Sequence, residues 1–402
     1  MTDHDPAAPG AFAERAVTVE LFFDLVFVFT ITGFAHVFAA AAGIGGHLLV
    51  VLPLAITWYI YSGYLWLSNN IGDGRKVRLA LLAGMGGFLI MAVAVPDIFA
   101  SSGLLFGLGY LYVTIIHIIA FARFGASGSR ANMLRFTPFN LLAAAFVIAA
   151  GLTHGNAQTV FWALALVTIL AITLIGVETG FALAPAHFVE RHGLVIIIVL
   201  GEAVIAAGAA AEARLDDAAT LLALLVSLTL IAGLWWSYFD HDDTDAEEAF
   251  TAAPPADRAR LAFRGYFLGH LVMIVGLVLA STGIHEAIGG VGAPALTHGV
   301  AAKHASAAAH ALKLWHVPAG IALYLAGDAL FRLVFTLPQA GIRFLFAILA
   351  MLMALFADIS GILLLAAVTA LVIVMLLIEH ALKTSRARKS REEAPSATAH
   401  IE

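Results

Sequence analysis

The chain has 402 residues, 61% of them hydrophobic and only 12% charged; a soluble domain carries about 25% charged residues, so the solvent of this protein is lipid. Its formal net charge of −6 averages acids gathered near residue 245 with bases gathered at the C-terminus, and nothing in that balance supports nucleic acid as a partner. Without a single cysteine, the chain can form neither a disulfide nor a thiolate metal site.

Met1 to Pro9 carries acids where a secretory signal would carry bases, so insertion is expected to begin at the first membrane helix. Apolar runs of roughly 18–25 residues, the length a helix needs to cross about 30 Å of hydrocarbon, occur twelve times. They span 20–43, 46–69, 77–99, 103–124, 132–151, 157–180, 191–211, 218–239, 263–286, 314–334, 341–358 and 361–382. Glycine and proline mark most breaks. The expected fold is therefore all-α, a polytopic integral membrane protein of about twelve transmembrane helices. From Gly341 to Leu382, one kinked or re-entrant element could replace two helices.

Cytoplasmic loops hold an excess of Lys and Arg, which tests the count. With the N-terminus inside, the cytoplasmic side receives 18 of the 21 basic residues, Arg191, Arg332 and Arg343 among them, leaving Arg214, Lys303 and Lys313 outside. A missing helix would scramble the alternation from that point on. The expected location is a cell membrane, with both termini cytoplasmic.

A shift of 170 residues lays Glu20 on Glu190 and Gly63-Tyr-Leu-Trp66 on Gly233-Leu-Trp-Trp236, and a further gap of 30 lays Pro138 on Pro338. Six helices return the chain to its starting side, so such halves would be parallel repeats about an axis along the membrane normal; apolar sequences also align easily by chance. The expected division is a cytoplasmic segment 1–19, a first six-helix repeat 20–180, a second repeat 181–382 and a basic, disordered cytoplasmic tail 383–402. Within the second repeat lie an acidic cytoplasmic loop, 240–260, and a histidine-containing external segment, 287–313. The basic tail suits anionic lipid surfaces, which makes membrane lipids expected partners.

Glu20 and Asp24 stand four apart at the mouth of the first run, on one helical face. They read either as a protonatable or cation-binding pair or as acids complementing a helix N-terminus. Glu202 lies near the middle of its run, where an acid costs about 2.5–3.5 kcal/mol, so it must be protonated, paired or facing water; Gly201 beside it suggests close helix packing. His36, His117 and His270 lie at depth and titrate near neutral pH; they read as satisfied core residues or as proton relays, with His117 and His270 ahead as partners for the acids. Asp328 and Arg332 form an expected i,i+4 ion pair, while Asp97, Glu178, Asp358 and Glu379 lie close to interfaces and need no role. Trp58, Tyr59, Tyr64, Trp66, Trp235, Trp236 and Tyr238 read as interfacial belts and packing.

The run Asp240-His-Asp-Asp-Thr-Asp-Ala-Glu-Glu248 packs six carboxylates into nine residues, but it lacks the glycine and final glutamate of a calcium loop and reads as a solvated acidic loop. His298, His304, His310 and His316 recur every six residues, an advance of about 240° per step, so neighbours do not share a face. No metal site or cofactor is expected. There is no phosphate-cradling glycine loop, no His-Glu-x-x-His and no Gly-x-Ser-x-Gly, which leaves catalysis unsupported.

Three segments resemble motifs of the bacterial low-temperature-requirement protein A (LtrA) family: Val19-Glu-Leu-Phe-Phe-Asp-Leu-Val-Phe-Val28, His187-Phe-Val-Glu-Arg-His-Gly193 running into Ile196-Ile-Ile-Val-Leu-Gly-Glu202, and Leu323-Tyr-Leu-Ala-Gly-Asp-Ala-Leu-Phe-Arg332. The resemblance spans about residues 12–385. It implies a polytopic protein of the bacterial inner membrane, linked by name to growth in the cold, with no settled biochemical activity. Glu20 to Thr32 is also similar to the first helix of potassium channels built from six-helix repeats, which implies pore-lining roles for Phe23, Asp24 and Phe27. The second half departs from that pattern at His192-Gly-Leu-Val.

The expected function is transport of a small solute or ion along a pathway of Glu20, Asp24, His117, Glu190, Glu202 and His270, with Asp24 and Glu202 as the protonatable groups. The alternatives are a channel for potassium or protons, or a membrane enzyme or scaffold acting on lipids in the cold.

Overall fold

The computed structural model describes residues 18–71, 74–176, 183–290, 314–356 and 360–393, and every regular element among them is helical. Each apolar run holds one helix. The first six are α1 (Thr18–Ala40), α2 (Gly43–Ile71), α3 (Arg75–Ala94), α4 (Gly103–Phe124), α5 (Ser127–Leu152) and α6 (Asn156–Gly176). α7 (Pro185–Ala211) and α8 (Ala218–Phe239) follow, then two short helices, α9 (Asp242–Ala252) and α10 (Pro255–Leu261). A π-helical segment, Ala262–Gly269, joins α10 to α11 (His270–Gly289), and α12 (His316–Val334), α13 (Ala340–Met353) and α14 (Gly361–Glu393) complete the chain. Ten stretches among the described residues are long and apolar enough to cross a membrane, and Asn156–Ala171 and Ala340–Phe356 are the two shorter apolar ones. α13 and α14 are separate helices, not one kinked element.

Long apolar side chains point outward, with Ile348 at 60% and Leu225 at 61% exposure, while Glu20, Asp24, Arg191 and Arg343 are buried. That inversion of a water-soluble protein is what a lipid solvent selects. The chain is a multi-pass membrane protein. α11 sits at the centre, packed on α7 and α12 and also touching α1, α2, α8 and α14. In the first six helices α1 packs on α3, α3 on α4, α4 on α5, α5 on α6, and α2 on α6. In the rest α7 packs on α11, α11 on α12, α12 on α13, α13 on α14, and α8 on α14.

The crossing of α11 and α12 depends on missing side chains. A Cβ on Gly320 would lie 2.4 Å from the Ala280 nitrogen and 2.6 Å from the Gly276 oxygen, both backbone atoms that cannot swing aside. Gly201, by contrast, meets nothing within 4 Å, so the close packing expected there is absent. Gly320→Ala should therefore cost at least the ~1–3 kcal/mol of overpacking. Gly201→Ala should be neutral or gain up to about 1 kcal/mol of helix propensity. The midpoint of SDS-driven unfolding from mixed micelles checks both.

The π segment has a structural consequence. It turns the Phe267 carbonyl out to accept from Trp58 Nε1 at 2.9 Å, tying α2 to the α10–α11 rod. Trp58 and Tyr64 are thus buried packing residues, while Trp235 and Trp236 are exposed as a belt requires. Asp217 caps α8 through the Ala219 and Thr220 amides, and the Thr220 hydroxyl with those amides holds its carboxyl below the usual range.

Two expectations are corrected here. The acidic stretch is not a solvated loop: Asp242, Ala246 and Phe250 fall on one face of α9 and are buried. The basic segment after Leu382 is not disordered at its start, because α14 runs on to Glu393. Pro138 lies inside α5, whereas Pro338 precedes α13. Arg15, Glu178, His298, Lys303, His304, His310, Lys313, Asp358 and residues 394–402 lie outside the described residues.

Candidate functional site

α1 and α7 lie side by side and run parallel, and each presents polar residues one turn apart to the other. Glu20 and Asp24 face His187 and Arg191. The Arg191 guanidinium grips Asp24 with both arms, Nη1 donating to Oδ2 at 2.6 Å and Nη2 to Oδ1 at 2.9 Å. Tyr61 of α2 donates to Oδ1 at 2.5 Å. His187 Nε2 lies 3.1 Å from Glu20 Oε2, and Arg191 Nε lies 3.9 Å from Glu20 Oε1.

Asn69 sets the state of His187. The Ala184 amide donates to Asn69 Oδ1, so the Asn69 amide nitrogen is left to donate to the Ala184 carbonyl and to His187 Nδ1, each at about 3 Å. With Nδ1 accepting, His187 is neutral and gives its Nε2 hydrogen to Glu20. Among the described residues, the cluster sets the Glu20 and Asp24 carboxylates around the Arg191 guanidinium, all buried.

Further along the same interface the Thr32 hydroxyl donates to Glu202 Oε2 at 2.5 Å, and His36 lies within electrostatic reach of that carboxylate. The α1–α7 contacts join residues 167 apart at one end and 170 apart at the other. Those separations are close to the shift that aligns the two halves of the sequence.

A second buried network lies in α8, α9, α12, α13 and α14. Arg332 contacts Asp242 at 2.7 Å, Glu379 at 3.3 Å and Asp328 at 3.6 Å. Arg343 forks onto Glu379 at 2.6 and 2.7 Å and reaches Asp328 at 3.3 Å. Glu379 is therefore no idle interfacial acid. Among the described residues there is no group of three or more His, Asp or Glu placed to hold a metal ion.

The family model for the bacterial low temperature requirement A protein (LtrA) matches residues 15–379, most of the chain and both networks. The chain belongs to the LtrA family. It is similar to the uncharacterized protein RA0937 of Rhizobium meliloti (strain 1021), 28% identical over 284 residues that cover 67% of this chain and 68% of the relative. No solved structure matches it.

In this LtrA-family chain the sequence-selected residues separate. Glu20, Asp24 and Glu202 line the α1–α7 interface, but the expected histidine partners do not join them: His117 bonds the Gly63 carbonyl, and His270 faces Tyr238 and the Gly265 carbonyl. His187 and Arg191 take their place, because His117 sits on α4 and His270 on α11, outside the α1–α7 seam. Glu190 is on the exposed face of α7, and Arg191, expected in a cytoplasmic loop, is buried. Phe23 and Phe27 pack on the Tyr61 ring, Phe27 with centroids 3.9 Å apart. The missed residues carried one signal: His187 and Arg191 repeat the i,i+4 spacing of Glu20 and Asp24.

Proposed function

We propose that this LtrA-family protein is a transporter of a small solute or ion in which two halves, the six helices α1–α6 and the six longer helices of α7–α14, move against each other along the α1–α7 seam. The observation that carries the reading is the buried two-armed ion pair of Arg191 with Asp24, Glu20 beside it, between the helices that open each half. Uptake of a proton or cation there weakens the grip of Arg191 on Asp24 and lets the halves part. Glu202, buried beside Thr32, is the second protonatable group on the same seam. Matched neighbour packing in the two halves supports the division, and the stacking of Phe23 and Phe27 on Tyr61 favours a carrier over an open pore. The charge asymmetry of the loops supports a cell membrane location with cytoplasmic termini, where Lys383 and Arg386 would meet anionic lipid headgroups.

Potassium and proton flux into liposomes carrying wild type, Asp24→Asn or Glu202→Gln at matched protein content tests this. Both variants should elute as folded protein and lose at least about tenfold in flux, the scale of one 1.4 kcal/mol interaction. Unchanged flux in both removes the site assignment, and unitary currents replace the carrier with a channel.

A further inference from the structure

At the other end of the bundle, three titratable side chains join the halves in a single hydrogen-bonded chain. His47 stands in the first turn of α2, Glu286 in the last turn of α11 and His316 at the start of α12. Sixteen α1 residues separate Asp24 from Ala40, about 24 Å at 1.5 Å per residue, so this cluster and the Asp24–Arg191 pair lie at opposite ends. His47 Nδ1 lies 2.7 Å from the Gly43 carbonyl, the two Nε2 atoms of His47 and His316 lie 2.8 Å apart, and His316 Nδ1 lies 2.7 Å from Glu286 Oε2. His316 is 2% and His47 8% exposed.

Three contacts need three hydrogens. The Gly43 carbonyl can only accept, so His47 Nδ1 carries the first. A second must lie between the two Nε2 atoms, because two lone pairs cannot face each other at that distance. The third lies between His316 and Glu286. Neutral histidines beside an ionised Glu286 supply only two, so the intact chain holds one proton more than those forms bring. Glu286 Oε1 is buried without a hydrogen-bond partner, which a carboxylic acid tolerates better than a carboxylate. Among the described residues, the groups stacked on the two rings are uncharged: α1 presents Phe38, and the turn before α12 presents Trp315. On α11 the exposed His285 bonds the Ala206 carbonyl, and Arg214 after α7 donates to the Gly289 carbonyl.

We propose that Glu286, His316 and His47 form a proton-binding latch that holds the two halves together at this end. The inference rests on the two-half reading above and names the proton as the ion that operates it. Losing the proton leaves two imidazole lone pairs in contact, so one bond must break and α2 is released from α12. The latched form binds the proton more tightly than the open form. Latching is therefore complete at lower pH and is lost as pH rises through the pKa of the latched form.

The chain has no cysteine, so spin labels on Ile44→Cys and Leu215→Cys, exposed positions of the first and second halves, report this end cleanly. In the full chain in nanodiscs with EDTA, one distance is expected at pH 6. A longer one should gain up to about tenfold in population ratio per pH unit above the transition. Glu286→Gln, whose amide donates to His316 Nδ1 without titrating, should keep the short distance up to pH 9. His316→Ala should show the long distance already at pH 6. A single wild-type distance across this range, the same transition in Glu286→Gln, or opening by EDTA at pH 6 overturns the latch. Opening with pH in a protein that carries no flux overturns the transport reading alone; flux without opening overturns the latch alone.

Discussion

Arg191→Met is expected to destabilise the protein by about 3–5 kcal/mol, the cost of stripping one partner from a buried ion pair. Asp24 would keep the Tyr61 hydroxyl, and Glu20 would keep His187. Adding Asp24→Asn should recover a large part of that loss, because the second substitution removes the charge the first one orphaned, and a double-mutant cycle measures the coupling. Arg191→Lys should fall between, since an ammonium keeps the charge but not the two-armed fork onto Oδ1 and Oδ2. SDS-driven unfolding read by tryptophan fluorescence gives all four values. A loss in the double variant equal to the sum of the Arg191→Met and Asp24→Asn losses would mean that the pair is uncoupled and that Arg191 acts through packing alone.

The helices were legible because length and hydropathy are local quantities, and so were Asp24 and Glu202, since an acid in an apolar run stands out without knowledge of its neighbours. Arg191 was not. Counting basic residues by side treats any cation near a helix start as loop charge, yet α7 begins at Pro185, which puts Arg191 well inside it. Arg343, near the start of α13, is the same case, whereas Arg332 keeps its expected pairing with Asp328 at 3.6 Å. The acidic stretch held a readable signal, Asp242, Ala246 and Phe250 four residues apart on one helical face, which the density of charge obscured. The contacts of Glu20 with His187 and of His47 with His316 join residues 167 and 269 apart, and no local pattern announces such a pairing.

Arg343→Met is expected to be at least as damaging as Arg191→Met. The second network sets three carboxylates, Asp242, Asp328 and Glu379, against two guanidiniums, and Arg343 alone contacts both oxygens of Glu379. Its loss leaves three acids to Arg332, whose Nη1 is shared between Glu379 at 3.3 Å and the Pro338 carbonyl at 3.1 Å. That carbonyl belongs to the turn that delivers α13, where Thr336 and Gln339 hold positive φ angles of 57° and 67°. Such angles cost energy in non-glycine residues and persist only where surrounding contacts over-determine them, so loosening Arg332 also loosens the turn. Asp328→Asn should behave oppositely. Neither oxygen of Asp328 accepts a hydrogen bond, and removing that charge leaves two acids for two arginines, so the variant should unfold within about 1 kcal/mol of wild type. Unfolding midpoints of the two variants compare these outcomes. A large loss in Asp328→Asn with none in Arg343→Met would reverse the assignment, making Asp328 the hub and Arg343 a peripheral charge.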